Sequence, residues 1–580
     1  MQVPGNTLDS EDSLLKLDST FHAGRTALTY LLLFAGVLAL HAPLLRLPYF
    51  WDEAGYYVPA VHDIFVSGSL IPRSTVSNAH PPLVLAWVAL WWRLLGASPL
   101  VSRVAMLTVA AFALLGVYRL SERANNAAVA AGSTLLTALY PVFFAQSSLV
   151  HLDLAAAGFT CWALRAYLDD RRFAMFAWFA LAGLAKETAI LAPGALAVWE
   201  LAGPAMFRKP NKLVLFPQRS LHRLAALAAS ALPLVLWFAY HYSRTGFVFG
   251  NPEFFRYNVQ ATANPLRVLL ALGSRLWQTF IYMGLWAVTG LTVFAMTLPA
   301  QPGVDGEERP RIAIPIQITF AVVILAYVVA LSFLGGAVLS RYMLPVVPLV
   351  ILIGVSTIWR RLSCWKIVVG ALAALFVTGW FWNPPYSFPF EDNLAYRDYV
   401  QLHQAGASYL EQHFAHARVL TAWAASDELN RPWLGYVHQP MRIVRIENFS
   451  AEEIRTVAAA NPSSYDAVLA FSTKYEPAFD ITDRRPWSEF KTRFFGYHRD
   501  LPPEAIAQIL GGRIVMEQHR PGQWIAVIAL ERAVDAKLAS SPTIPFQTAR
   551  ARAPATAPAQ TGRSSADGPY DDGTGTLFMR

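Results

Sequence analysis

Charge and cysteine are what this sequence has least of. Of its 580 residues, 15% are Asp, Glu, Lys or Arg and two are cysteine, where a soluble domain carries roughly 25% charged residues. The shortage of charge excludes an ordinary water-soluble globule. Cys161 and Cys364 both fall in or beside apolar runs, which excludes a disulfide-stapled scaffold and leaves the redox compartment unread. Gly-rich phosphate loops, zinc-ligand spacing, a nucleophile elbow and internal repeats are also missing. The net charge is +8, but the basic residues sit in a few loops, which does not suit a nucleic-acid partner.

What is abundant is apolar surface. The chain is 55% hydrophobic with a mean hydropathy of +0.35, and its 18 Trp and 22 Tyr suit two interfacial belts. Runs of spanning length recur near 27–46, 99–119, 127–145, 153–168, 173–185, 188–201, 224–240, 276–298, 313–334, 343–360 and 366–382, which predicts about eleven transmembrane helices. The pair 173–185 and 188–201 is short and reads either as one broken helix or as a hairpin turning at Lys186-Glu187. Loop charge favours two spans. That count leaves Arg119 and Arg123, Arg165, Arg171 and Arg172, the basic stretch 202–223, and Arg360, Arg361 and Lys366 on the inner side. Only the loop 299–312 is mixed in charge. The reading makes residues 1–26 a cytosolic tail, with the first run retained as a span because it lacks a cleavage site. It also places Asp52, Glu53, His80, His151, Asp153, Lys186, Glu187, Arg244, Arg256, Arg341 and Tyr342 at the outer side.

Between the spans, Ala54, Tyr57, Val58, Val61 and Phe65 follow helical spacing, which predicts a helix lying in the interface plane up to Ser67-Gly68-Ser69. Residues 83–95, with Trp87, Trp91 and Trp92, read as a second interfacial helix or a half-span, and 252–265 as a third interfacial helix. After the transmembrane region 27–382, Asn383-Pro384-Pro385 breaks the pattern. Residues 390–535 then read as a compact extracytoplasmic α/β domain of about 140 residues. It is expected to have strands near 419–423, 467–471 and 524–530 and helices near 394–415, 451–459 and 503–510. Residues 539–580, rich in Pro, Ala, Thr, Ser and Gly, read as disordered.

The chemistry-bearing residues are few. Asp52-Glu53 follows the first span directly. The plain reading is a helix cap; the functional one is a general base, since a carboxylate at a low-dielectric boundary has its pKa raised towards neutrality. Two consecutive acids can also take a divalent cation, but no third ligand is in sequence reach, so no cofactor is assigned and a cation stays an alternative. His80 before Pro81-Pro82 is a polar loop residue or a phosphate ligand. Lys186 between apolar half-spans either snorkels or binds phosphate. Arg341-Tyr342 opens a span, where an Arg can hold a phosphate through two parallel hydrogen bonds. Asp153 is a helix cap or a substrate ligand, and Arg256 joins the outer set. Acids, cations and aromatics on one side of a lipid-accessible cavity suit a lipid-phosphate substrate, with the base activating an acceptor and the cations stabilising the departing phosphate. The alternative is a transporter or flippase of lipid-linked sugars, although that class gathers ionisable groups at the midplane.

Five pieces in order carry a resemblance: Trp51-Asp52-Glu53-Ala54-Gly55-Tyr56-Tyr57, His80-Pro81-Pro82-Leu83, Asp153-Leu154, Gly183-Leu184-Ala185-Lys186-Glu187-Thr188 and Arg341-Tyr342-Met343-Leu344-Pro345. With these the chain resembles the C-type glycosyltransferases of the protein O-mannosyltransferase type, including the bacterial branch that adds aminoarabinose to lipid A. The resemblance implies an inverting transferase of the bacterial inner membrane that uses a polyprenyl-phosphate sugar and a lipid, glycan or protein acceptor. It implies Asp52 as the base and Glu53 as support for the acceptor site. It implies His80, Lys186, Arg341 and Tyr342 at the donor phosphate. Two positions depart from the pattern: His80 stands where the aminoarabinose branch usually has Lys, which argues against that sugar, and Glu187 follows Lys186 where Gly is usual.

Overall fold

The computed structural model describes residues 8–206, 218–250, 264–303, 305–334, 337–460, 464–477, 479, 485–495 and 498–530. Arg256, the expected tail from 539 and almost all of the expected interfacial helix 252–265 lie outside them. Among the described residues, five helices are long and apolar enough to cross a membrane: Gly24–Leu44, Pro99–Ala124, Leu221–Thr245, Pro265–Met296 and Ile314–Phe333. Shorter apolar helices stand beside them at Leu83–Leu95, Ala127–Leu139, Arg172–Ala185 and Trp365–Phe381. The chain is a mainly helical, polytopic membrane protein with a small sheet domain near its C-terminus.

The helices that build the site are α1 (Leu8–His41), α2 (Val58–Ser67), α3 (Leu83–Leu95), α4 (Pro99–Ala124), α5 (Ala127–Leu139), α6 (Pro141–Gln146), α7 (Asp153–Leu168), α8 (Arg172–Ala185) and α9 (Leu191–Met206). The remaining spans are α10 (Gln218–Ala229), α11 (Leu232–Thr245), α12 (Pro265–Phe280), α13 (Leu285–Met296), α14 (Ile314–Phe333), α15 (Val347–Arg361) and α16 (Trp365–Phe381). Local chemistry sets their ends. Ser98 caps α4 by accepting from the Val101 amide, with Pro99 in the first turn, and Asn126 caps α5 through the Val129 amide. The run expected as 127–145 is two helices, because Pro141 lacks an amide hydrogen and starts a new one. The run expected as 276–298 begins earlier, at Pro265, where Asn264 accepts from the Leu266 and Arg267 amides, and it breaks at Met283 and Gly284, both with positive φ. At Lys186 the backbone is extended (φ −153°, ψ 131°), so α8 and α9 are separate helices joined by the turn Glu187–Ile190.

Small residues bring the central helices close. A Cβ on Gly158 of α7 would lie 2.7 Å from the Ala113 Cβ of α4, the close approach by which membrane helices gain dispersion contact where lipid removes the hydrophobic drive.

The C-terminal domain holds α17 (Ala395–His413), β1 (Arg418–Ala422), α18 (Ala425–Asn430), β2 (Arg442–Ile446), α19 (Ala451–Ala460), β3 (Ala467–Phe471), α20 (Arg485–Phe495), α21 (Pro503–Leu510), β4 (Gly512–Arg520) and β5 (Gln523–Leu530). Its strand order is β2-β1-β3-β5-β4, parallel through the first three and antiparallel at β5. The three strands and three helices expected from sequence are all present. The half-exposed strands β2 and β4 lack the continuous apolar run that marks β3 and β5.

This domain docks on the loop that carries Asp52. The Trp423 ring lies 5.1 Å from Trp51 and 5.4 Å from Tyr56. Tyr399 packs edge-on against Phe50 and Trp51. The Tyr436 hydroxyl donates to the Tyr49 carbonyl at 2.9 Å, and Arg431 donates to the Ser74 carbonyl at 2.6 Å. Gly55 is required by this packing, since a Cβ there would lie 2.4 Å from the Trp423 indole nitrogen. Gly55→Ala is therefore expected to destabilise the protein by about 1–3 kcal/mol, the cost of overpacking a filled site, and Trp423→Ala in the same chain to recover part of it. Thermal unfolding in detergent tests this; a melting curve unchanged by Gly55→Ala would refute the packing.

Candidate active site

The loop between α1 and α2 is built around Glu53. Its carboxylate is fully buried and takes four hydrogen bonds: from Arg103 Nη1 (2.5 Å) and Nη2 (2.9 Å), from the Phe50 amide (2.8 Å) and from the Val150 amide (2.6 Å). Arg103 completes its own set on the carbonyls of Pro48 (2.8 Å) and Ser148 (2.9 Å). A carboxylate so occupied has no oxygen to offer an acceptor. Glu53 anchors the loop instead, tying it to α4 and to the segment before α7. The anchor also holds Trp51 at φ +42°, a left-handed conformation that costs a non-glycine residue about 1–3 kcal/mol unless its surroundings fix it.

Asp52 is the neighbour that remains available. Its side chain is 20% exposed, and its Oδ2 accepts from Arg341 Nη2 at 2.5 Å. Arg341 is 2% exposed and lies among three carboxylates: Nη2 on Asp52, Nη1 on Glu391 Oε1 at 2.6 Å, and Nε 3.4 Å from Asp153 Oδ2. Asp153 in turn accepts from Lys186 Nζ at 2.5 Å. Residues from five separate segments thus meet around one guanidinium. The gathering of Asp52, Asp153, Lys186, Arg341 and Tyr342 expected from sequence is present in the structure.

Tyr342 organises the cations. Lys186 Nζ lies 3.8 Å from its ring centre, with the guanidinium carbons of Arg275 at 5.6 Å and Arg341 at 5.7 Å, within the range where a ring face attracts a cation. Arg275 of α12 differs from the other two. It is fully buried, and its hydrogen-bond partners among the described residues are the carbonyls of Leu331 (3.3 Å) and Leu339 (2.7 Å) and Gln278 Oε1 (2.8 Å). None is a carboxylate, and its Nη2 makes no hydrogen bond. A buried guanidinium without a counter-charge is costly unless an anion arrives to meet it.

His80 stands apart from this centre. Ala79 before it has φ +56° and is pinned by the Trp237 indole, which donates to its carbonyl at 2.8 Å. His80 Nδ1 is 2.9 Å from Glu187 Oε2. The two positions that depart from the resembled pattern are therefore partners: a histidine replaces a lysine, and an acid replaces a glycine beside it.

Sequence reasoning did not single out Arg103, Arg275 or Glu391. The first two are ionisable residues inside apolar helices, which is itself a signal of function or pairing. Glu391 sits in Phe390-Glu391-Asp392, two acids at the exit of a span, repeating the Asp52-Glu53 pattern. His151 completes the centre. Gln146 Nε2 donates to the Glu391 carbonyl (3.1 Å), which turns Gln146 Oε1 toward His151 Nδ1 (2.7 Å) and makes that nitrogen the protonated one. His151 Nε2 is left buried and unbonded, and burial, then Arg341 and Lys186, hold the ring well below its usual pKa and therefore neutral.

Ligand atoms of Asp52, His151 and Glu391 lie within 4.8 Å of one another. The space a divalent cation would need is taken, however: Arg341 is bonded to both acids and stands 3.3 Å from His151 Nδ1. The cluster already holds a cation of the chain itself and does not fit a metal.

No protein-family model and no curated protein matches the chain. Among solved structures it is similar to ArnT from Cupriavidus metallidurans bound to undecaprenyl phosphate, at 15% identity and TM-score 0.49, covering 88% of this chain and 98% of that one. It is similar to the apo state of the same protein at 16% identity and TM-score 0.49, over 87% and 98%. It is also similar to the oligosaccharyltransferase AglB from Archaeoglobus fulgidus in complex with an inhibitory peptide and a dolichol-phosphate, at 12% identity and TM-score 0.39, over 86% and 74%. These are glycosyltransferases of the group that the motif order resembles. Likeness at this level does not transmit chemistry, which belongs to the site.

The Glu53–Arg103 pair separates anchoring from catalysis. Arg103→Met leaves a buried carboxylate unpaired and is expected to cost about 3–5 kcal/mol, with loss of the folded protein in detergent. Asp52→Asn, which keeps a polar group at a partly exposed position, is expected to leave the melting temperature within a few degrees. Equal stability of the two variants, measured side by side, would contradict the division.

Proposed function

We propose that this chain is a membrane glycosyltransferase that moves a sugar from a polyprenyl-phosphate donor to an acceptor hydroxyl or amine at the outer face of a bacterial inner membrane, with inversion. The observation that carries the reading is the convergence on Tyr342: three cations surround its ring, one of them, Arg275, buried without a counter-ion among the described residues, beside a partly exposed carboxylate on a braced loop.

Asp52 takes the proton of the acceptor nucleophile. The acceptor atom attacks the anomeric carbon from the side opposite the phosphate. The bond from that carbon to the phosphate oxygen breaks, and the electron pair leaves with the polyprenyl phosphate. Charge builds on that phosphate in the transition state, and fixed cations in a dry site stabilise it without reorganisation. Arg275, Lys186 and Arg341 supply them, and Asp153 orients the latter two. Tyr342 spaces the three, and His80, held by Glu187, lines the edge. Glu53 acts by fixing the loop. Arg256 keeps its assignment to the substrate side from sequence alone. The loop charges give the sidedness, with the N-terminus cytosolic and the C-terminal domain outside.

Two variants test this. Asp52→Asn is expected to lower transfer by a factor of about 10²–10⁴, the usual contribution of a general base, while binding of undecaprenyl phosphate stays intact. Arg275→Met is expected to weaken that binding tenfold or more. A sugar-transfer assay on purified protein, using lipid extracts of the source cell as donor, measures the first. Full transfer by Asp52→Asn would refute the base, and movement of lipid-linked sugar across vesicles with no transfer would favour a flippase.

A further inference from the structure

The outer edge of the Arg341 guanidinium is taken: Nη1 donates to Glu391 and Nη2 to Asp52. Nε lies 3.4 Å from Asp153 Oδ2, a charge contact in which neither atom makes a hydrogen bond. If Arg341 is to meet the donor phosphate, as the function proposed above requires, one acid must yield. Asp153 is held on its other oxygen by Lys186 (2.5 Å) at the first turn of α7. Asp52 is the base and sits on the loop braced by Glu53. Glu391 lies in the short turn Phe390–Asp392, after the last span and before the C-terminal domain. Among the described residues its carboxylate accepts one side-chain hydrogen bond, from Arg341, and its main-chain carbonyl accepts one from Gln146.

We propose that Glu391 is a positioning residue that occupies Arg341 until the donor phosphate takes its place, and that donor entry, wherever Glu391 is ionised beforehand, is accompanied by uptake of one proton on it. The reason is electrostatic. A displaced Glu391 would stay in a buried pocket beside Asp52 and Asp392 without its cation, and a buried unpaired carboxylate neutralises rather than bear the desolvation cost. The charged groups that act on it are Arg341, Asp52, Asp392 and Asp153, with His151 in the same cluster and Tyr342 within its field. Asp392 is itself raised to about 6 by burial, against bonds from Tyr282 and Ser340. The ligand-free protein already leans the same way: burial, with Asp52 and Asp392 adding to it, outweighs Arg341 and raises the Glu391 carboxyl above its ordinary range.

The sign follows. If binding takes up a proton, affinity is full while Glu391 is protonated and falls as pH rises past its pKa in the free protein, by at most tenfold per pH unit. The experiment is binding of undecaprenyl phosphate to the full chain in detergent between about pH 7 and 9.5, above the second ionisation of a phosphate at about 6. Wild type is expected to weaken across that range. Glu391→Gln, which keeps a hydrogen-bond acceptor for Arg341 but carries no charge, is expected to bind with flat pH dependence and more tightly than wild type at the alkaline end. Glu391→Asp is expected to restore the slope. A flat wild-type profile, or a slope that survives Glu391→Gln and so belongs to Lys186, overturns the role of Glu391 and leaves the proposed function standing. Failure of wild type to bind at any pH, together with full transfer by Asp52→Asn, overturns both.

Discussion

One buried guanidinium sets the terms for the rest of this molecule. Arg341 is nearly out of contact with solvent and is shared among acids from the loop after α1, the start of α7 and the turn after α16. Taking such charges out of water costs several kcal/mol per ion, and the attraction among them offsets that only if the geometry is held. The scaffold is what holds it. The Glu53–Arg103 pair braces one acid, Lys186 braces another, and the C-terminal domain closes over the loop that carries the first. Helix packing, loop strain and domain docking all serve the placement of a few charges.

That view explains why the two adjacent acids behave so differently. Asp52 and Glu53 share the same stretch of sequence, but Glu53 meets Arg103 and two backbone amides while Asp52 meets one guanidinium at the edge of solvent. A carboxylate with four internal donors is a structural bolt. One with a single partner among the described residues and a partly open side keeps an oxygen within reach of solvent. The positive φ of Trp51 is the visible cost of turning consecutive side chains to such different tasks, and the rings of Tyr399 and Trp423 keep it in place.

Much of this was legible before any coordinates. Spanning runs, the break at Lys186-Glu187 and the three apolar strands follow from hydrophobic periodicity, which is strong for long apolar segments. The meeting of Asp52 with Arg341, 289 residues apart, was legible only as a shared side of the membrane, because loop charge reports compartment and not contact. What stayed hidden is pairing. Nothing in the spacing of Glu53 and Arg103, or of Arg341 and Glu391, says which acid takes which cation, since that depends on helix rotation and on a domain arriving from the far end of the chain. Arg275 was hidden for the opposite reason: its significance is the lack of a counter-charge among the described residues, which a packed structure displays and a sequence does not.

The two departures from the resembled motif order gain meaning the same way. Read along the chain, a histidine before Pro81-Pro82 and an acid after Lys186 are separate irregularities. In the fold, His80 and Glu187 are bonded at 2.9 Å, so the lysine charge usual at the first position is replaced by a ring already matched to a carboxylate. This side of the site therefore carries less positive charge than an unpaired lysine would give it. The shortfall falls on Arg275 and Lys186 across the Tyr342 ring.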